Sequence, residues 1–281
     1  MKFSTISALV ADMDGVLWRG NQALPGLREL FDWLAESKTP YVLATNNSTT
    51  TRTEYAAKLA RLGVPGVSEH NIITSSSATA SYMQQRYPAG TRVHVLGMEG
   101  IRQAMEDAGY DLDDNSTDPV QVVVTGLDLD LTYARLNQAA QYIRAGADFI
   151  ATNADKTLPT ADGVIPGAGS IMAALIAATD ITPVIIGKPY APMYEIALRQ
   201  LNLPADQVLM LGDRLDTDIV GAQKLGMPTA LVFTGVTQPE DLIDQQMWAD
   251  VAYEDLPALL RAWAGDDWYR AKLRAKREQK A

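Results

Sequence analysis

The chain has 281 residues, 47% of them apolar, and a formal net charge of -10. That length suits two domains better than one, and so large an apolar share builds a sizeable core and excludes broad disorder. The negative charge argues against nucleic acid or an anionic membrane as a partner, and the absence of cysteine excludes disulfides and thiolate metal sites.

Only His70 and His94 offer imidazole, so histidine-rich zinc chemistry is not expected. The N-terminus lacks the apolar core of a signal peptide, because Ser4, Thr5 and Ser7 interrupt it before Asp12. No stretch approaches the length of a membrane span, and a cytoplasmic protein is expected.

Residues 8–11 read as a buried strand that runs into Asp12-Met13-Asp14-Gly15-Val16-Leu17. Ligands of open α/β sheets bind at the carboxyl ends of strands, and side chains two apart share a face, so Asp12 and Asp14 can serve one site. Two acids this close repel unless a cation or a shared proton offsets the charge, which points to chemistry on a metal-bound anion. A strand-end turn closed by Gly15 would use the same residues. Trp18 and Arg19 follow as a flap, with Trp18 expected to pack. After a helix over 26–37, the strand 41–45 ends in Thr45-Asn46-Asn47-Ser48, whose hydroxyl and amide groups can hold phosphate oxygens or cap the next helix, 52–62.

Helices over 78–86, 101–108 and 131–144 then alternate with strands 92–96, 120–125 and 148–151. This βαβ rhythm argues for parallel sheets covered by helices. Polar segments before Ala78 and at 178–183 mark an inserted domain over residues 80–183, within a core formed by 1–79 and 184–264. Within the insert, Ala151-Thr152-Asn153-Ala154-Asp155 follows a strand. Gly167-Ala168-Gly169 reads as a tight turn into a helix beginning near Ser170, since a dinucleotide loop would need a third glycine at fixed spacing.

The strand 184–187 ends in Gly187-Lys188-Pro189, where a lysine can counter a phosphate's charge and Pro189 suits the first turn of a helix through Leu201. A solvated surface lysine is the plain alternative. The strand 208–211 ends in Gly212-Asp213-Arg214-Leu215-Asp216-Thr217-Asp218, which supplies hard oxygen ligands for Mg²⁺ or merely acidic residues at a helix start. A strand over 229–232 completes the pattern. Residues 265–281, with the basic run Arg270 to Arg277, read as a charged helix or tail.

Together the four strand-end motifs resemble those of the haloacid dehalogenase-like phosphohydrolases: Asp-Met-Asp-Gly-Val-Leu, Thr-Asn-Asn, Lys188, and Gly-Asp followed by Asp218. Gly15-Val16-Leu17-Trp18-Arg19-Gly20, Pro25-Gly26 and Gly212-Asp213-Arg214 resemble the NagD-like branch in particular. The insert departs from that branch at Ala154, where proline is common. The resemblance implies an α/β fold with a Rossmann-like parallel-sheet core and a large inserted α/β cap. It implies a phosphatase that hydrolyses small-molecule phosphomonoesters, with Asp12 as nucleophile and Asp14 as general acid and base. Mg²⁺ would be held by Asp12, Asp213 and the main-chain carbonyl of Asp14, with Asp218 behind them. Thr45, Asn46 and Lys188 would hold phosphate, and Asn153 and Asp155 would meet the leaving group. The implied partner is a small phosphorylated metabolite, and a cap-mediated homodimer is compatible with the branch. A phosphotransferase or phosphomutase of the same fold, or a non-catalytic phosphate sensor, stays open as an alternative.

Overall fold

The computed structural model describes residues 2–112, 119–160, 163–242 and 248–278. In chain order its elements begin with β1 (Ala8–Ala11), β2 (Trp18–Arg19), β3 (Gln22–Ala23), α1 (Leu27–Glu36), β4 (Tyr41–Thr45), α2 (Arg52–Arg61), β5 (Ile72–Thr74) and α3 (Ser75–Gln84). They continue with β6 (Arg92–Leu96), α4 (Glu99–Asp107), β7 (Asp111–Leu112), β8 (Val122–Thr125), α5 (Tyr133–Arg144), β9 (Asp148–Ala151), β10 (Thr157–Thr160), β11 (Gly163–Pro166) and α6 (Ala168–Thr179). The last are β12 (Val184–Ile185), α7 (Ala191–Leu201), β13 (Val208–Gly212), α8 (Val220–Lys224), β14 (Thr229–Val232), β15 (Val251–Tyr253), α9 (Leu256–Ala264) and α10 (Asp266–Glu278).

The chain divides into two compact units, the first from Met1–Ala44, Ala56–Ile72 and Ala197–Ala281, the second from Thr45–Tyr55 and Ile73–Ile196. The sheet of the first unit has the order β15-β14-β13-β1-β4-β5, and β1 lies parallel to both β13 and β4. Its central strands are apolar throughout and fully buried, as strands covered on both faces must be: Ala8 to Ala11 and Val208 to Leu211 expose nothing. Leu27, Leu30 and Leu34 of α1 and Leu256, Leu259 and Leu260 of α9 contribute buried faces at helical spacing. Each such leucine contributes about 1.5–3 kcal/mol by leaving water.

The second unit is built on a parallel sheet of order β12-β9-β8-β6-β7. Val123, Phe149, Ala139, Ile143, Ile171 and Leu175 form its core between sheet and helices α5 and α6. The α/β parallel-sheet class is the one the βαβ rhythm implies. The strand β15 escapes the sequence pattern because it has three residues and only a partly buried face. Pro189 also differs from expectation. A separate turn, closed by Tyr190 N–H donating to the Gly187 carbonyl at 3.0 Å, comes first, and α7 begins only at Ala191.

The basic C-terminal segment is helical as far as residue 278, while 279–281 lie outside the described residues. Helix α10 docks on α1: the Trp268 indole meets Trp33 edge to face at 5.2 Å, and its N–H donates to Glu36 Oε2 at 2.7 Å. Lys272 pairs with Glu36 and approaches Asp32. The bond from Lys272, then that from Trp268, lowers the Glu36 pKa, and the bond to Glu36 raises that of Lys272. The pair's contribution is therefore whole between the ordinary carboxylate and ammonium ranges. It is lost as pH falls through the lowered Glu36 value, or as pH rises through the raised Lys272 value. The pair lies at the surface, so Lys272→Met is expected to cost no more than about 1 kcal/mol in urea melts at neutral pH, and less once Glu36 is protonated.

Candidate active site

The register of the first sheet creates the site. Ala11 pairs with Leu211, and Asp12 N–H donates to the Leu211 carbonyl at 2.8 Å, so β1 and β13 deliver Asp12 and Asp213 at neighbouring carboxyl ends. A wide helical turn over Leu215–Ile219 brings Asp218 back to them. Asp12, Asp213 and Asp218 are buried, and each offers a carboxylate oxygen within 4.8 Å of the others. Asp216, two residues earlier, faces outward and is forked by Arg214 at 3.1 and 2.9 Å. The turn thus brings Asp218, the acid the motifs single out, to the cluster and leaves Asp216 outside it.

Main-chain N–H groups hold two acids of the cluster. Asp213 Oδ2 accepts from Val236 N–H at 2.7 Å, and Asp218 Oδ2 accepts from the N–H groups of Asp213 and Arg214 at 3.2 and 3.1 Å. Three buried carboxylates this close demand compensating positive charge. Their hard oxygen donors suit a divalent cation of the Mg²⁺ or Ca²⁺ kind, so the residues fit the metal that the motifs imply.

The Asp14 carboxylate stands apart from this cluster and is exposed. Gly15, at φ +86°, turns the chain in a conformation that side chains other than glycine disfavour. Gly15 N–H then donates to the Trp18 carbonyl at 2.8 Å. The turn returns Trp18, wholly buried, to Asp14, where its indole N–H donates to Oδ1 at 2.8 Å. Lys58 Nζ lies 4.2 Å from the centre of the Trp18 ring. Burial lowers the Lys58 pKa against the opposing pull of the Asp14 charge.

The second unit holds the other motif residues. Thr45 is buried at the end of β4, and its hydroxyl accepts from Asn47 N–H at 3.1 Å. Asn46 is a hub: its Oδ1 accepts from Lys188 N–H at 2.8 Å, and its Nδ2 donates to the Lys188 carbonyl at 2.9 Å and to both Asp155 oxygens at 3.2 Å. Asn153 Nδ2 donates to the Asn46 carbonyl at 2.8 Å, and Asn153 Oδ1 accepts from Asp155 N–H at 3.0 Å. Asn153 and Asp155, expected at the leaving group, are here engaged with the residue that fixes the Lys188 backbone. The Lys188 side chain is buried rather than a solvated surface group.

Sequence reasoning missed the loop after β14. Thr234 Oγ1 donates to the Gly15 carbonyl at 2.6 Å, the Thr234 carbonyl accepts from Arg19 Nε at 2.8 Å, and Gly235 and Val236 abut Asp213. The available signal was Phe233-Thr234-Gly235-Val236-Thr237 directly behind a buried strand, the same strand-end position as the other motifs.

Residues 9–111 match the family model described as haloacid dehalogenase-like hydrolase, and residues 185–259 match a related one described as HAD-hydrolase-like. The chain is 34% identical over 249 residues to an acid sugar phosphatase of Staphylococcus epidermidis, covering 89% of this chain and 95% of that one. It is 37% identical over 240 residues to a 5′-nucleotidase of Bacillus subtilis, covering 85% and 92%. Among solved structures it is similar to the 4-nitrophenylphosphatase of Thermotoga maritima, with TM-score 0.87 and 34% identity over 93% of this chain and 98% of that one. The glycerol phosphate phosphatase of Mycobacterium tuberculosis in complex with magnesium gives 0.82 and 32% over 92% and 77%. NagD from E. coli gives 0.82 and 27% over 91% and 98%. The carboxylate cluster at the strand ends and these similarities agree: the chain belongs to the haloacid dehalogenase-like hydrolases, within their NagD-like branch of phosphatases.

Proposed function

We propose that the protein is a Mg²⁺-dependent phosphatase of small phosphorylated metabolites that works through an aspartyl phosphate on Asp12. The observation that carries this reading is the convergence of Asp12, Asp213 and Asp218 in one buried cluster, with Asp14 beside the nucleophile in the chain yet outside the cluster. A carboxylate kept out of the metal group is free to handle protons. The relatives named acid sugar phosphatase and 5′-nucleotidase, and the neighbour bound to magnesium, support the substrate class and the metal.

In the first step an Asp12 oxygen attacks phosphorus. The bond from phosphorus to the ester oxygen breaks with its electron pair on that oxygen, which takes a proton from Asp14. In the second step Asp14 removes a proton from water as the water attacks the phosphoryl group. The bond to Asp12 breaks and restores its carboxylate. Splitting one displacement into two lowers each barrier. Asp12, Asp213 and the Asp14 main-chain carbonyl would hold Mg²⁺, and Asp218 fixes the turn that carries Asp213. Bound there, the ion would offset the charge on the phosphoryl oxygens. We assign Thr45, Asn46 and Lys188 to phosphate binding, where a buried ammonium is strongest. The segment 80–183, which lies wholly in the second unit, serves as the cap in this reading.

The test is phosphate release from sugar phosphates, nucleoside monophosphates, phosphoglycolate, glycerol phosphate and p-nitrophenyl phosphate, with Mg²⁺ or with EDTA. Release that requires Mg²⁺ is the expected result. Transfer to an added alcohol in place of release would make the protein a phosphotransferase. Binding of phosphate esters without turnover would make it a sensor.

A further inference from the structure

An exposed aspartate has several rotamers open to it, yet a general acid must aim one oxygen at the leaving group. Asp14 is exposed, but its Oδ1 is gripped at 2.8 Å by an indole that is itself wholly buried and cannot follow the carboxylate. Gly15 N–H bonded to the Trp18 carbonyl, and Leu17 N–H bonded to the Met13 carbonyl, each at 2.8 Å, fix the turn that joins the two residues. An indole N–H can only donate, so the oxygen it meets must present a lone pair. Lys58, 4.2 Å over the same ring, draws electron density from it and makes the N–H a better donor.

We propose that Trp18 is a positioning residue for proton transfer: its indole N–H holds Oδ1 of Asp14, which leaves Oδ2 as the oxygen that gives and takes the proton, while Lys58 braces the indole. The inference rests on the assignment of Asp14 made above. In the acid step the proton leaves Oδ2 for the departing ester oxygen, and the electron pair of the broken O–H bond stays on the carboxylate. Oδ1 keeps its bond to Trp18 throughout, so the carboxyl group does not rotate between the two steps.

The experiment compares wild type, Trp18→Phe and Asp14→Asn on a series of phosphomonoesters from p-nitrophenyl phosphate to simple alkyl phosphates. The readout is kcat/KM, which covers steps only as far as the aspartyl phosphate and so isolates the acid step. A nitrophenolate departs without a proton and an alkoxide does not. Trp18→Phe is expected to lower kcat/KM on the alkyl esters about ten- to a hundredfold, the worth of a hydrogen bond to a charged group. Its effect on the nitrophenyl ester should stay within about threefold. Equal losses along the series would mean that Trp18 only packs, and would overturn the inference while Asp14→Asn still steepens the trend. If Asp14→Asn itself leaves the trend unchanged, the acid assignment falls and the inference falls with it.

A second measurement does not depend on how well Trp18→Phe folds. In protein labelled with ¹⁵N at its indoles, the Trp18 N–H is expected to be protected from exchange and to lose that protection in Asp14→Ala. A signal indifferent to Asp14→Ala would overturn the proposal.

Discussion

Asp12→Asn is expected to abolish turnover, lowering kcat by about ten-thousandfold or more, because an amide cannot form the aspartyl phosphate. At about 1.4 kcal/mol per factor of ten, that loss exceeds about 5 kcal/mol of transition-state stabilisation. The same substitution removes one of three buried carboxyl groups whose oxygens lie within 4.8 Å of one another. Without metal, the variant should therefore melt at the same temperature as wild type or higher. Phosphate release and thermal melts on one preparation check both halves. Residual activity within about a hundredfold of wild type in a correctly folded variant would move the nucleophile elsewhere.

The second large effect is expected at a residue with no chemistry of its own. A Cβ on Gly235 would stand 1.8 Å from Asp213 Oδ2 and 2.3 Å from its Cγ. No rotation of a methyl group relieves that overlap, so the Asp213 carboxylate must swing away and give up the Val236 N–H bond. Gly235→Ala is expected to weaken Mg²⁺ binding by about ten- to a hundredfold, the usual cost of disturbing what orients a metal ligand. Titration calorimetry would read that shift directly. Activity should fall in step at limiting Mg²⁺ and recover in part at high Mg²⁺. A variant with full activity and unchanged metal affinity would show that Asp213 is not held as a ligand.

These two expectations differ in how far the sequence foresaw them. Asp12, Asp14, Asp213 and Lys188 could be singled out from the chain because each follows an apolar run at its carboxyl end, and strand ends in parallel α/β sheets are where ligands bind. That logic is local: it needs only the strand and the next few residues. The same locality made the alternation of strands and helices readable, since apolar spacing is a property of short windows.

Gly235 was invisible by the same logic, for its importance comes from Asp213, which the chain brings alongside only when β13 and β14 pair. The C-terminal segment read only as a charged helix or a tail, and its docking on α1 was not legible, because its partners Trp33 and Glu36 lie more than two hundred residues earlier. The acidic run alone left Asp216 and Asp218 alike, and the motif resemblance chose Asp218; the turn over Leu215–Ile219 supplies the reason, sending one outward and the other into the cluster.

What the sequence by itself determined is the class of fold, the family and the residue types at the strand ends, all consequences of short-range pattern. What only the tertiary structure decided is how those residues are held: Asp14 by Trp18 under Lys58, Asp213 by Val236, and Lys188 through Asn46 and Asp155. The physical reason is that a hydrogen bond depends on distance in space. Asn46 and Asp155 are 109 residues apart along the chain and 3.2 Å apart in the folded unit, and no window of sequence spans both.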